Sequence, residues 1–335
     1  MARAGLNRKT ALATVTLVLA AEAPDLDSVT GFGGRVFGFA HHRGITHTFV
    51  GVPLVAAFVV GVIYLGYRLW HRNSGNRLMT ERPPRWGLLW LFACLAAVSH
   101  ILLDFTNNYG VRPLEPFSHR WYSWDIVFIV EPILWIILLG GLLFPVLFGL
   151  VDHEIGARAK RPRGRTGAIV ALVLVVLFWG FRDYEHRRAL AAMDSLTYRN
   201  EDAVRVSAYP YMFNPFKWHG VVETRNFFEM MDVNSRTPEV DPYGEQRTVL
   251  KPEETPATLA AKKSYLGRVY LDWAQYPMTE VERTQSSDPG YLVRLYDLRY
   301  AYPGRARGVL GGWVELDSKF QVVAQGFGNH ASPPD

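Results

Sequence analysis

The chain has 335 residues, with 36 Lys and Arg against 31 Asp and Glu and a formal charge of +5, which is length enough for two domains. Its one cysteine, Cys94, excludes an intramolecular disulfide and a thiolate metal site of the zinc-finger kind. Mean hydropathy is near zero, but that average blends two unlike halves. Long apolar runs alternate with short charged loops up to about residue 182, and a mixed, polar sequence follows.

In chain order the apolar runs cover residues 11–23, 48–67, 86–103, 126–150 and 167–181. Crossing the hydrocarbon of a bilayer takes about 20 residues. The second, third and fourth runs meet that length; the first and fifth are short and predict an incomplete span, a tilted partner or a re-entrant segment. Arg3, Arg8 and Lys9 before the first run, and Ala-Glu-Ala after it, also outline a signal peptide. Cleavage there would leave Pro24-Asp-Leu-Asp27 at a new terminus, so a retained segment is the stronger expectation.

Charge sets the expected orientation. Arg68, Arg72, Arg77, Arg82 and Arg85 lie between the second and third runs, and Arg158, Lys160, Arg161, Arg163 and Arg165 between the fourth and fifth. The positive-inside rule puts both loops and the N-terminus in the cytoplasm. Five alternating spans then place residues 24–46, 104–125 and everything after 182 outside, although Arg182, Arg187 and Arg188 count against this. Juxtamembrane basic loops also attract anionic lipid, a stronger reading of Lys160 to Arg165 than binding to nucleic acid. Cys94, inside the third run, reads as a small packing residue.

Residues 24–46 read as a loop rich in glycine, which lets backbone approach an ion or ligand closely. Thr46 or Thr48 is the expected cap of the helix that follows. Past residue 195 the pattern predicts strands at Val204–Tyr209, Gly220–Phe227, Arg268–Trp273 and Tyr291–Tyr300, with a hairpin from Val309 to Gly326 turning near Asp317-Ser-Lys. Residues 232–262, rich in Pro, Glu and Thr, read as an exposed excursion. The predicted fold is an α-helical polytopic membrane domain (1–181) followed by a small β-rich (α+β) extracytoplasmic domain (182–335).

Three polar clusters border the apolar runs: Asp25 and Asp27, His42 and His47, and His100 and Asp104. Polar ligands beside hydrocarbon are costly. Each cluster has an ordinary reading alone: a helix-capping Asp, solvated loop histidines, an Asp–His hydrogen bond at a helix end. Together they suit a divalent metal, Zn or Mn foremost, because His and carboxylate without soft sulfur favour such ions. His100 and Asp104 share one helix face, four residues apart. The expected metal ligands are Asp27, His42, His47, His100 and Asp104. Asp25 or Asp125 would serve as general base, and Arg43 would grip an anionic substrate group.

These motifs, Pro24-Asp-Leu-Asp27, His42-Arg-Gly-Ile-Thr-His47 and Ser99-His-Ile-Leu-Leu-Asp104 followed by Tyr109-Gly110, resemble the family of LexA-binding, inner-membrane-associated hydrolases, also called membrane-bound metal-dependent hydrolases. Trp121 to Asp125 and Glu131-Pro132 extend the similarity, which covers about the first 150 residues. The resemblance implies a multi-pass protein of the bacterial inner membrane whose motif His and Asp residues bind metal. Family members place a Thr-His pair upstream of the Ala-Arg-Ala-Gly-Leu seen here at residues 2–6, a His this chain lacks. The expected function is metal-dependent hydrolysis of a phosphoester or lipid-like substrate at the bilayer surface. The rival is a non-catalytic membrane protein that binds metal or a protein partner. A transporter ranks last, since Glu131 is the main ionisable residue near a span.

Overall fold

The computed structural model describes residues 1–73, 83–154, 164–284, 289–302 and 310–328. They form two units, Met1–Asp27 with Arg43–Asp183, and Ser28–His42 with Tyr184–Asp335. Arg77, Arg82 and the basic stretch 158–163 lie outside the described residues.

Helices build the first unit. α1 (Ala13–Glu22) runs into a 3-10 segment, Ala23–Gly33. α2 (Arg35–His41) follows and belongs to the second unit, so the stretch expected as loop is largely helical. A 3-10 turn, Ile45–His47, precedes α3 (Gly51–Asn73), and α4 (Trp86–Thr106), α5 (Pro132–Glu154) and α6 (Arg165–Asp194) complete the set. Gly51–Arg72, Trp86–Thr106 and Arg165–Asp194 are long and apolar enough to cross a membrane, and Pro132–Leu147 is a shorter apolar stretch. The first run is short, in line with its reading as an incomplete span, a tilted partner or a re-entrant segment. α1 has ten residues, a rise of about 15 Å, or half the roughly 30 Å of hydrocarbon. The fifth run is longer than expected, because its helix continues past Arg182 to Asp194.

Small side chains bring α1, α3 and α4 together. Ala13, Ala20, Ala23, Ala56, Ala93 and Ala96 are buried with Leu17, Val59, Leu89 and Phe92, and Cys94 packs against them. The large apolar chains of α3 point outward: Leu54, Phe58, Val62, Leu65 and Leu69 are all exposed. Such a continuous apolar surface is a liability in water. Small inside and large outside is the arrangement expected of helices that pack in lipid, where close backbone approach supplies the attraction. Two charges that looked anomalous in the sequence have local roles. Arg182 is buried and donates from Nε to the Ile126 carbonyl at 2.7 Å. Glu131 accepts from the Ile133 N–H at 3.3 Å at the start of α5.

In the second unit β1 (Arg205–Pro210), β2 (Lys217–Glu223), β3 (Phe227–Asn234), β4 (Glu239–Val240) and β5 (Arg247–Leu250) make one antiparallel sheet, with β5 paired to β3. After α7 (Pro256–Lys263) and α8 (Tyr265–Trp273), β6 (Pro277–Arg283), β7 (Tyr291–Asp297), β8 (Gly312–Leu316) and β9 (Val322–Phe327) make a second, in sequential order. Ala189 and Met193 of α6 pack onto the first sheet against Trp218, Val222 and Met231.

Three sequence expectations are corrected here. Arg268–Trp273 is helical: Ser264 caps the Gly267 N–H, and Leu266, Tyr270 and Trp273 recur at helical spacing on a buried face. The predicted strand Gly220–Phe227 runs across a turn in which Thr224 Oγ1 accepts from the Phe227 N–H. The stretch 232–262 is no exposed excursion, since β5 joins the sheet and Ala257, Thr258 and Ala261 are buried under a Thr255 capping box. The predicted turn at Asp317 does form, with its Oδ1 accepting from the Lys319 and Gln321 N–H groups. Val309 lies outside the described residues.

Candidate metal centre

Three helix ends of the first unit meet at one place. α1 delivers Asp25 and Asp27 just past its C-terminus, the Ile45–His47 turn delivers His47 just ahead of α3, and the last two turns of α4 deliver His100 and Asp104. The turn is fixed by Thr48, whose hydroxyl donates to the Ile45 carbonyl at 2.9 Å and accepts from the Gly51 N–H at 2.8 Å. Thr48 is therefore the cap, and Thr46 turns to the site. Gly51 is required by close approach: a Cβ there would stand 1.7 Å from the Ile45 carbonyl oxygen. Gly51→Ala is accordingly expected to displace the turn that carries His47, at a cost of about 1–3 kcal/mol, read by thermal unfolding in detergent.

Asp25, His47, His100 and Asp104 offer ligand atoms that lie within 4.8 Å of one another. His47 Nε2 stands 3.4 Å from Asp25 Oδ1 and 3.4 Å from Asp104 Oδ2, and His100 Nε2 stands at the same two distances from the same two oxygens. These separations exceed the usual 2.7–3.2 Å of an N–H···O hydrogen bond. His100 Nε2 and Asp104 Oδ2 are buried without a hydrogen-bond partner among the described residues, a cost that a cation between them would remove. The His47 side chain is fully buried and that of Asp25 is 50% exposed, so the cluster opens to its surroundings on the Asp25 side. This His/Asp cluster could bind a metal ion.

Around it lies a shell of positioning contacts. Asp27 Oδ2 accepts from the Arg43 backbone N–H at 2.8 Å and the Thr46 hydroxyl at 3.0 Å, and lies 3.1 Å from His47 Nδ1. A carboxylate on the far nitrogen fixes the tautomer that leaves Nε2 to face the cluster. Arg43 has left-handed backbone, φ 54°, and its guanidinium is buried. It donates to Asp104 Oδ1 at 2.7 Å and to the Gly110 carbonyl at 2.8 Å, and lies over the Tyr109 ring at 4.7 Å. Gly110, at φ 86°, needs its glycine to present that carbonyl.

The charge balance follows from this packing. Burial alone would lower the pKa of His47, but the carboxylates of Asp104, Asp25 and Asp27 outweigh it and raise it to about 10. The imidazoles of His100 and His47 hold the Asp25 carboxyl well below the usual carboxylate range.

Compared with expectation, the structure brings His47, His100 and Asp104 together and adds Asp25, expected as base, to the ligand atoms. Asp27, expected as ligand, stands at the other ring nitrogen of His47, 3.1 Å from Nδ1. Arg43, expected to grip substrate, is committed to Asp104 and Gly110. His42 ends α2 in the second unit, its N–H bonded to the Gly38 carbonyl. Asp125 has left-handed backbone, φ 58°, between Trp124 and Ile126, whose N–H groups bond the Phe105 and Thr106 carbonyls at the end of α4; it is not among the four. Sequence reasoning missed Thr46 as a support for Asp27, Gly51, and the Asn107-Asn-Tyr-Gly110 stretch as the seat of Arg43. The signal there was an Asn-Gly break directly after a ligand-bearing helix.

Residues 1–189 match the sequence model of the YdjM inner membrane protein family. The uncharacterized protein YfhP of Bacillus subtilis (strain 168) is 26% identical over 122 residues, which are 36% of this chain and 33% of that protein, so the aligned stretch spans about a third of the relative. No solved structure matches the chain.

Proposed function

The chain belongs to the YdjM inner membrane protein family, and on that premise we propose that its His/Asp cluster holds a divalent ion, Zn²⁺ or Mn²⁺, for hydrolysis of a phosphoester at the membrane surface. The observation that carries this reading is the set of four imidazole-to-carboxylate separations, each 3.4 Å. Ligands held at about 2.0–2.1 Å from a tetrahedral ion stand about 3.3–3.4 Å apart. Two imidazoles and two carboxylates also suit these ions.

A divalent ion there would lower the pKa of a bound water from about 15.7 toward about 7. The residues divide the remaining work. His47, His100 and Asp104 would hold the ion from inside; Asp27 orients His47, and Arg43 orients Asp104 while balancing its charge. Asp25, half exposed, would be the outermost of the four ligands, and its carboxylate could serve as general base toward a water at the open side of the site. Asp125 is a second candidate base. Under the positive-inside reading the site and the β-rich unit both face outward from the bacterial inner membrane, so a lipid or lipid-like phosphoester is the substrate within reach.

The test is turnover of phospholipid and of a generic phosphodiester by detergent-purified protein loaded with Zn²⁺ or Mn²⁺. The account expects metal-dependent hydrolysis that His47→Ala abolishes, and Asp25→Ala that keeps its metal yet loses at least about tenfold in kcat, as general-base removal does. Absence of turnover with either ion on both substrates would refute catalysis. A second reading then takes over, because four protein ligands also describe a closed, structural site. In it the ion ties the ends of α1, α3 and α4, the β-rich unit serves a protein partner, and Asp25→Ala lowers thermal stability with no activity to lose.

Proton linkage gives an independent check. Because the pKa of His47 is raised from about 6.5 to about 10, its contribution to the stability of the metal-free protein is present below about pH 6.5 and is lost as pH rises through about 10. Over that window an incoming ion must displace the proton. Calorimetry in buffers of different ionisation enthalpy near neutral pH is expected to show at least one proton released per ion; zero release would mean that His47 binds no metal.

A further inference from the structure

The first sheet of the β-rich unit carries a pocket of about 200 Å³ at the end where β2 begins and β3 finishes. Asp232 lines it, buried, with its carboxylate already engaged by Lys217 Nζ at 2.6 Å and by the Tyr211 hydroxyl. Lys217 stands across the strands from Asn234 and lies over the rings of Tyr211 and Tyr243, 4.6 and 5.2 Å from their centroids. The two carboxamides of the pocket have used their oxygens on neighbouring turns. Asn214 Oδ1 accepts from the Phe216 N–H, and Asn234 Oδ1 from the Arg236 N–H. That fixes each amide nitrogen as the atom left to offer, and among the described residues neither has a partner. Arg236 also lines the pocket, and its guanidinium lies over the ring of Phe216, another lining residue, at 5.7 Å.

The polar groups still on offer are therefore donors: two NH₂ groups, the remaining N–H bonds of an ammonium, and a guanidinium. Lys217 and Arg236 against Asp232 leave a positive balance within the lining, and Tyr243, widely exposed, supplies an apolar wall. Charge-assisted donors of this kind bind oxyanions. The volume, that of about seven waters, fits a phosphate group with a short carbon skeleton. We propose that this pocket is a second binding site, separate from the His/Asp cluster, for a phosphate monoester, whether a soluble ester or the headgroup of a lipid.

The test uses the full chain in detergent with the metal cluster blanked by His47→Ala, or by EDTA treatment of the wild type where that variant does not fold. Glycerol 3-phosphate is titrated by calorimetry in one arm, and phosphatidic acid in mixed micelles in the other. The pocket is expected to saturate at about one ligand per chain in at least one arm, and the arm that saturates identifies the source. Asn214→Asp with Asn234→Asp keeps both turn-forming oxygens while removing donors and adding negative charge. This double variant is expected to weaken binding at least about tenfold with an unchanged melting temperature; it is preferred to Lys217→Ala, which would leave Asp232 buried and unpaired. Saturation in neither arm, or equal affinity in the double variant, would overturn the proposal.

Discussion

Arg43→Ala is expected to destabilise the helical unit by about 3–5 kcal/mol, the scale for removing one partner of a buried ion pair. The loss would not be of charge alone. Asp104 would lose its contact at 2.7 Å and the Gly110 carbonyl its donor at 2.8 Å, both in the interior, and Tyr109 would lose the cation over its ring. Arg43→Lys should recover only part of this, because an ammonium cannot reproduce the fork that serves Asp104 and Gly110 together. Thermal or denaturant unfolding in detergent, with metal in excess, measures the effect. Arg225→Ala, on the exposed turn between β2 and β3, is the control and should change stability by no more than about 0.5 kcal/mol. An Arg43→Ala variant as stable as that control would mean that Arg43 is free for another role, such as gripping substrate.

The second large effect falls on metal affinity, and its size should depend on a residue's distance from the ion. His47→Ala removes a ligand and is expected to weaken binding by more than about 100-fold. Asp27→Asn leaves every ligand in place and keeps an acceptor for the Arg43 N–H, but removes the carboxylate behind His47 Nδ1. Loss of such an outer partner costs about 10–100-fold. Competition against a chelator orders the two variants. If Asp27→Asn proved as damaging as His47→Ala, Asp27 would be a direct ligand and the division of labour between Asp25 and Asp27 would be reversed.

That division is where sequence reading reached its limit. Spacing alone placed His100 and Asp104 on one face of α4, since a four-residue interval on a helix allows little else. It could also bring three clusters to the same side of the apolar runs, because each lies at the end of a run. Asp25 and Asp27 both reach the His47 ring, one at Nε2 and the other at Nδ1, and which carboxylate takes which nitrogen depends on how the 3-10 segment leaves α1. Periodicity carries no such information. Arg43 misled for a related reason: a cation beside histidines looks available until the Asn107–Gly110 turn, distant in sequence, folds over it. In the β-rich unit, Val269, Tyr270 and Trp273 carry strand propensity, yet a Ser264 cap and a buried stripe at helical spacing prevail. The short first run was legible as incomplete, but its partners were not. The alanines that let α1 nest against α3 and α4 are unremarkable residues whose role exists only in the packed bundle.

Elemental analysis of the detergent-purified chain, grown and handled with Zn²⁺ and Mn²⁺ present, tests the metal centre most directly. The account predicts about one divalent ion per wild-type chain and less than about a tenth of that in a folded His47→Ala variant. A wild-type protein that is folded but carries no stoichiometric ion, or a His47→Ala variant that carries as much as wild type, would contradict it.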